Sequence, residues 1–106
     1  MTDITFHRVA GSSEIGDGEM RHVEIGERQI ALFNLGGDFY ATEDMCTHAF
    51  AMLSDGFIDG ELIECPLHGG KFEIKTGKAA APPCTVDLKT YPVRVEGDAV
   101  LVGVPA

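Results

Sequence analysis

Short turns that contain glycine recur along the whole chain, and they constrain its fold more than any other feature. They include Gly16-Asp17-Gly18, Gly36-Gly37-Asp38, Asp59-Gly60 and Glu96-Gly97-Asp98. The runs between them alternate apolar and polar residues or are rich in β-branched residues, which is typical of strands. No window has a sustained 3.6-residue period, so we expect no helix longer than a turn or two. The sequence therefore predicts an all-β fold, an antiparallel β-sandwich or small barrel.

Several of these runs predict individual strands. Residues 29–35 form a largely apolar run, and residues 62–64 form a short one that leads into Cys65. The valines at 100, 102 and 104 alternate, as do Tyr91, Val93 and Val95. Pro66, which has no backbone N–H, ends the short run and turns the chain.

Length and termini predict one domain that does not enter a membrane. The chain has 106 residues, which is near the commonest domain size. No apolar run approaches the roughly 18 residues that span a bilayer. The start, Met1-Thr2-Asp3-Ile4, has neither the basic nor the apolar region of a signal peptide. We therefore expect a cytoplasmic protein.

The charge of the chain is unevenly distributed. The net charge is −9, which argues against nucleic acid or anionic lipid as a partner. Residues 29–70 contain no Lys or Arg, but they contain seven acidic residues. This acidic segment predicts attraction to a basic partner that weakens as salt rises.

Two short strings inside the acidic segment carry the residues that bind metals. They are Cys46-Thr47-His48 and Cys65-Pro66-Leu67-His68, with sixteen residues between them. Each begins with a thiol and ends with an imidazole. Two thiolates and two imidazoles indicate a [2Fe–2S] cluster with one iron on two cysteines and the other on two histidines. The odd count of three cysteines also fits reduced, metal-binding thiols better than a disulfide scaffold.

Charge counting explains the use of such a ligand set. Two thiolates cancel the +2 charge of an oxidised [2Fe–2S] core, so the site is neutral, whereas four thiolates would leave it at −2. Adding an electron to a neutral site costs less free energy. Histidine ligation therefore raises the potential to roughly −150 to +300 mV, against about −400 mV for four-cysteine plant-type centres.

Other interpretations of these residues stay open. The quartet could instead bind structural zinc, although zinc sites more often use Cys-x-x-Cys pairs. His7 and His22 are interpreted as surface residues. Cys84 follows Pro82-Pro83 and is interpreted as a thiol that is not a ligand but could approach the metal centre. Three further residues form a basic strip after the second string: Lys71, Lys75 and Lys78.

The two strings and their surroundings resemble a known family. Cys-x-His, sixteen residues and Cys-x-x-His match the Rieske iron–sulfur signature. The sequence from Cys65 to Phe72, the Thr76-Gly77 turn and Pro82-Pro83 are similar to the Rieske ferredoxins of bacterial aromatic-ring-hydroxylating dioxygenase systems. The resemblance covers nearly the whole chain.

The resemblance implies a Rieske fold and a role for each ligand. Cys46 and Cys65 would hold the inner iron, and His48 and His68 the outer iron. The single domain, residues 1–106, would have a cluster-binding part at about residues 44–80 inserted in a basal β part. Five residues would surround the cluster tip: Ala49, Phe50, Ala51, Leu67 and Pro83.

The resemblance also implies a function without catalysis. The protein would be a monomeric one-electron carrier between a flavoprotein ferredoxin reductase that oxidises NAD(P)H and a terminal oxygenase. The alternative is a small Rieske subunit of another oxidoreductase, such as nitrite reductase. High-potential relatives have disulfide cysteines, a serine and a tyrosine near the cluster. This chain has four other residues at those positions, which predicts a low potential within the Rieske range: Phe50, Leu67, Gly70 and Phe72.

Overall fold

Eleven strands and one 3-10 helix run through the part of the chain that the structure, a computed structural model, describes: residues 3–47, 50–67 and 69–105. The strands are β1 (Ile4–Gly11), β2 (Met20–Ile25), β3 (Arg28–Leu35), β4 (Asp38–Glu43), β5 (Phe57–Asp59), β6 (Leu62–Glu64), β7 (Lys71–Glu73), β8 (Ala79–Ala81), β9 (Thr90–Tyr91), β10 (Val93–Glu96) and β11 (Ala99–Pro105). The helix, Leu53–Asp55, lies between β4 and β5. The all-β prediction is confirmed.

The strands form three antiparallel sheets. Their orders are β1-β11-β10, β2-β3-β4-β9 and β5-β6-β7-β8. The first two sheets pack face to face over a first core that includes Val23, Ile30 and Val102. This packing confirms the predicted antiparallel sandwich.

Strand β3 has both faces buried, and this joins the third sheet to the sandwich. Because side chains alternate along a strand, Ile30 and Leu32 point into the first core, whereas Ala31 and Phe33 point into a second core. The second core also contains Ile63 of β6 and Phe72 of β7. The apolar run at residues 29–35 is thus the wall between two cores.

Most individual expectations agree with the structure. Residues 62–64 form β6, and the valines at 100, 102 and 104 are buried. Val95 breaks the expected alternation, because it lies exposed on the edge strand β10. Within the described ranges, no helix is long and apolar enough to cross a membrane. The cluster-binding part at about residues 44–80 stays a prediction, and the third sheet runs from Phe57 to Ala81.

Candidate metal centre

The first predicted ligand string leaves the end of β4 and returns through a short antiparallel bridge. Met45 pairs with Met52, and the Cys46 N–H donates to the Ala51 carbonyl oxygen at 2.9 Å. These contacts hold the two ends of the loop together. The Cys46 side chain is only 4% exposed and belongs to the second core. The loop therefore directs a thiol inward.

The second string connects β6 to β7. The Cys65 N–H donates to the Gly70 carbonyl oxygen at 2.8 Å, and the Cys65 side chain is 1% exposed. A side chain at Gly56, just after the 3-10 helix, would overlap the Glu64 carbonyl oxygen and meet Pro66 Cδ at 3.1 Å. The end of the first loop therefore packs directly against the start of the second.

Three buried cysteines, none of them in a disulfide, meet where the loops converge. Cys46 interacts with both Cys65 and Cys84. Burial raises the pKa of the Cys65 thiol, the Leu67 backbone N–H opposes this by donating to the sulfur, and Cys46 adds to the rise. Burial, followed by the neighbouring Cys46, raises the pKa of Cys84 to about 12.

The chemistry of this donor set fits a metal centre. Adjacent buried thiols do not ionise together unless a cation neutralises them, and a coordinated thiol is deprotonated. Backbone hydrogen bonding from Leu67 lowers the pKa of the Cys65 thiol, which favours the thiolate that a metal would bind. Cys46 and Cys65 lie on the two predicted loops, whereas Cys84 lies on a third segment.

The structure does not describe the two predicted histidine ligands. His48 and His68, and the tip residue Ala49, lie outside the described residues. Within the described ranges, no group of three or more His, Cys, Asp or Glu side chains is placed to hold a metal ion. The assignment of all four ligands therefore stays a prediction.

Apolar side chains lie exposed next to the cysteine loops. Phe50 is 97% exposed, and Leu67 and Val86 are also exposed. The Thr47 hydroxyl donates to the Val86 carbonyl oxygen at 2.6 Å, which ties the first loop to the segment after Cys84. We call Phe50, Leu67 and Val86 the apolar tip; Val86 was not among the residues that the sequence suggested there.

A buried carboxylate lies beside the first loop, and the sequence does not indicate it. Asp44 has no exposed surface. Its Oδ1 accepts from the Ser54 N–H at 2.7 Å, and its Oδ2 accepts from the Ser54 hydroxyl at 2.6 Å. The Nδ1 atom of His22 lies 2.5 Å from the same Oδ2. In the sequence, Asp44 is one of seven acidic residues in its segment, and nothing distinguishes it from the exposed ones.

The interpretation of His22 as a surface residue is confirmed only in part, because its side chain is half-buried. Its side chain is 32% exposed, and its ring lies between Asp44 and Glu24, with Nε2 3.0 Å from Glu24 Oε2. Hydrogen bonds to Glu24 and then Asp44 raise the pKa of His22. His7, in contrast, is exposed as expected.

The basic strip is largely neutralised by the acidic segment. Lys71 pairs with Asp59 at 3.0 Å and approaches Glu64 at 3.8 Å. Lys75 pairs with Glu61 at 2.9 Å. These ion pairs leave the described surface around the second loop without a strong positive patch.

Comparisons with known proteins agree with this description. A model of the Rieske [2Fe-2S] domain matches residues 5–92. The ferredoxin component of a naphthalene 1,2-dioxygenase system from Pseudomonas aeruginosa is 45% identical over 84% of this chain and 86% of its own. A biphenyl dioxygenase ferredoxin subunit from Pseudomonas sp. strain KKS102 is 44% identical over 93% and 92%. The solved Sphingomonas yanoikuyae B1 ferredoxin has a TM-score of 0.90 at 41% identity, over 95% of this chain and 100% of its own. The chain therefore belongs to the Rieske [2Fe-2S] domain family.

Proposed function

We propose that this protein is a soluble one-electron carrier between an NAD(P)H-dependent ferredoxin reductase and a terminal ring-hydroxylating oxygenase. Its relatives are named as ferredoxin components or subunits of naphthalene and biphenyl dioxygenases. One solved neighbour is a complex of reduced oxygenase and oxidized ferredoxin in carbazole 1,9a-dioxygenase. The observation that carries the proposal is the buried pair Cys46 and Cys65, on two converging loops beside an exposed apolar tip.

The proposed ligands are the cysteine and the histidine of each of the two strings. Cys46 and Cys65 would hold the inner iron of a Rieske-type [2Fe–2S] cluster, and His48 and His68 the outer iron. When bound, this cluster takes up and releases a single electron. The described residues exclude water from the cysteine side, and the Leu67 N–H donates to the Cys65 sulfur.

The apolar tip supports a small, transient contact with redox partners. Phe50, Leu67 and Val86 are exposed and flank the loops of the two cysteines. Weak electron-transfer encounters bury little surface. An apolar contact there would bring the centre close to a partner without a strongly bound complex.

The proposed role also bears on the domain organisation, the oligomeric state and the cellular location of the protein. Because its relatives are named as ferredoxin components, the chain is an electron-transfer component rather than a catalytic subunit. We propose a single domain of residues 1–106 and a monomer. The absence of a disulfide among the three cysteines supports a reducing, cytoplasmic location.

Metal analysis and spectroscopy test the cofactor and its ligands. Protein reconstituted anaerobically should contain two irons and two acid-labile sulfides per chain, and the reduced form should give an electron paramagnetic resonance signal. Cys65→Ser and His68→Ala should prevent normal assembly of the cluster. Cys84→Ser is the matched control, a thiol in the same core that should retain the cluster. Zinc without iron, or loss of the cluster in Cys84→Ser, would contradict the ligand set.

An electron-transfer assay tests the function. The purified protein should restore electron flow from a ferredoxin reductase to a ring-hydroxylating oxygenase in proportion to its concentration, while it remains separable from both. Cys65→Ser should not restore it. A chain that purifies only in a stoichiometric complex with another oxidoreductase would instead support the permanent-subunit alternative.

A further inference from the structure

The carboxylate of Asp44 is buried, and every described group that faces it is able to donate a hydrogen bond. Ser54 donates from its backbone N–H and from its hydroxyl, and His22 presents Nδ1. These donors satisfy both oxygens of the carboxylate. Asp44 therefore places a carboxylate in the interior, where it forms an ion pair with His22.

His22 pairs with the Asp44 carboxylate from the side nearer the surface. Its two ring nitrogens face two carboxylates, Asp44 and Glu24. Both nitrogens can donate only when the ring is the imidazolium. The result is a chain of charges, Glu24–His22–Asp44, that runs from the surface to the interior.

The backbone of Asp44 joins the elements around the first ligand loop. Its N–H donates to the Gln29 carbonyl oxygen of β3 at 3.0 Å, and its carbonyl oxygen accepts from the Leu53 N–H at 2.6 Å. Together with the side chain, these contacts fix the end of β4, the start of β3 and the 3-10 helix to one another. The Cys46 Cα lies two residues further on, hence within about 7 Å of the Asp44 Cα.

We propose that Asp44 is a positioning residue of the iron–sulfur centre: held by His22 and Ser54, its carboxylate fixes the loop that carries Cys46, and its negative charge lowers the reduction potential. The inference rests on the proposed function, because it takes Cys46 as a ligand. Partners that orient metal ligands typically change metal affinity 10–100-fold when they are mutated. A negative charge near the centre disfavours the addition of an electron, and a buried charge is screened less than an exposed one.

The test compares Asp44→Asn with a matched carboxylate elsewhere. Asparagine keeps the shape and one acceptor but loses the charge and the second acceptor. The control is Asp17→Asn, because the Oδ1 of Asp17 also accepts a backbone N–H, from Gly36 at 2.6 Å, at the opposite end of β3. Each reconstituted holoprotein is measured for loss of iron to an excess of chelator, for midpoint potential and for its reduced-state paramagnetic resonance spectrum.

We expect Asp44→Asn to lose iron about tenfold faster or more, with a higher midpoint potential and an altered spectrum, and Asp17→Asn to behave as wild type. Faster loss with unchanged potential and spectrum would show that Asp44 stabilises only the fold, and would overturn the proposal. An unchanged rate of iron loss in Asp44→Asn would also overturn the proposal. If wild type itself contains no iron and sulfide, the proposed function fails; if wild type holds the cluster and Asp44→Asn matches it, only this inference fails.

Ser54→Ala keeps the proposal testable if Asp44→Asn does not assemble a cluster. This variant removes only the hydroxyl that donates to Asp44 Oδ2. It should assemble normally and lose iron a few-fold faster. His22→Gln, which removes the cation but keeps a side-chain donor, should also assemble normally and lose iron a few-fold faster. Wild-type rates of iron loss in both variants would overturn the proposal.

Discussion

Close packing around Cys84 shows how single residues shape the centre. A side chain at Gly70 would overlap the Cys84 sulfur and come within 3.3 Å of both the Cys84 nitrogen and Pro83 Cδ. Gly70 also accepts the backbone hydrogen bond of Cys65. The absence of a side chain at residue 70 therefore lets three chain segments meet at the thiols.

Gly70→Ala should destabilise the holoprotein by about 1–3 kcal/mol, because it overpacks a filled site. Combining it with Cys84→Ala should recover part of that loss, since the overlapping sulfur is removed. Urea unfolding of the two single variants and the double variant measures the coupling. Gly11→Ala is the control, because its new methyl group would meet only the flexible side chain of Glu14. Additive effects at residues 70 and 84 would contradict the packing argument.

The residues near the cysteines also predict a reduction potential. Phe72 is fully buried and Phe50 is almost fully exposed, and neither they nor Leu67 and Gly70 have a hydroxyl. Fewer donors to sulfur stabilise the reduced cluster less. We expect a midpoint in the lower part of the range of roughly −150 to +300 mV. Redox titration of the holoprotein checks this, and a value above about +100 mV would contradict it.

The ion pairs of His22 predict how stability depends on pH. Its pKa is raised in the folded protein by Glu24 and then by Asp44. The protonated ring therefore contributes stability fully below the unfolded pKa of about 6.5, and this contribution is lost as pH rises through the raised folded value. The difference in unfolding free energy between wild type and His22→Gln should therefore shrink as pH rises above about 6.5. Urea unfolding at several pH values measures it. His7→Gln is the control, and a difference that grows with pH would contradict the sign.

At the scale of elements, the separation into two cores assigns different roles to similar strands. Ile63 of β6 and Ile30 of β3 are both fully buried. Ile63 lies in the core that contains the thiols, two residues before Cys65, whereas Ile30 lies in the core of the sandwich. Truncation of Ile63 should therefore weaken the iron–sulfur centre more than the same truncation of Ile30.

Ile63→Ala and Ile30→Ala should each lower the unfolding free energy by about 2–5 kcal/mol, because each leaves a cavity. Only Ile63→Ala should also speed the loss of iron to a chelator under native conditions. The comparison uses chemical denaturation for stability and absorbance for the cluster. Equal acceleration in the two variants would show that the sandwich and the third sheet do not act as separate supports.

Much of this architecture could be predicted from the sequence. The strand at residues 29–35, the valines of β11 and the β6 strand before Cys65 all follow from local patterns. The sequence does not show that β3 separates two cores, because an apolar run has the same pattern whichever cores it faces. It also does not distinguish Asp44 and His22, because their role depends on contacts between β2, the end of β4 and the 3-10 helix. Local patterns carry no information about such distant partners.

At the scale of the whole molecule, charge and apolar surface are arranged around one end. The acidic segment of residues 29–70 includes both cysteine loops, and its exposed carboxylates include Asp55. The nearby cations Lys71 and Lys75 are already paired with acidic residues. These pairs neutralise Asp59 and Glu61 as well, but exposed Asp55 forms no ion pair with a described residue. Its negative charge beside the first cysteine loop favours a partner with a basic surface.

The rate of electron transfer to the oxygenase should therefore fall as ionic strength rises, because the Debye length shortens from about 30 Å at 0.01 M to about 10 Å at 0.1 M. Asp55→Lys should lower the second-order rate constant at low salt, since Asp55 is exposed on the 3-10 helix that follows the first cysteine loop. Asp98→Lys makes the same change of charge in the β10–β11 turn, in the sheet that carries neither cysteine loop, and should have a smaller effect. Stopped-flow reduction of the oxygenase at several salt concentrations measures both variants. Charge steering depends on the distance of the charge from the contact surface. Equal decreases of the rate constant in Asp55→Lys and Asp98→Lys would therefore place the docking surface elsewhere. A rate constant that does not depend on salt would leave the apolar tip as the only source of attraction.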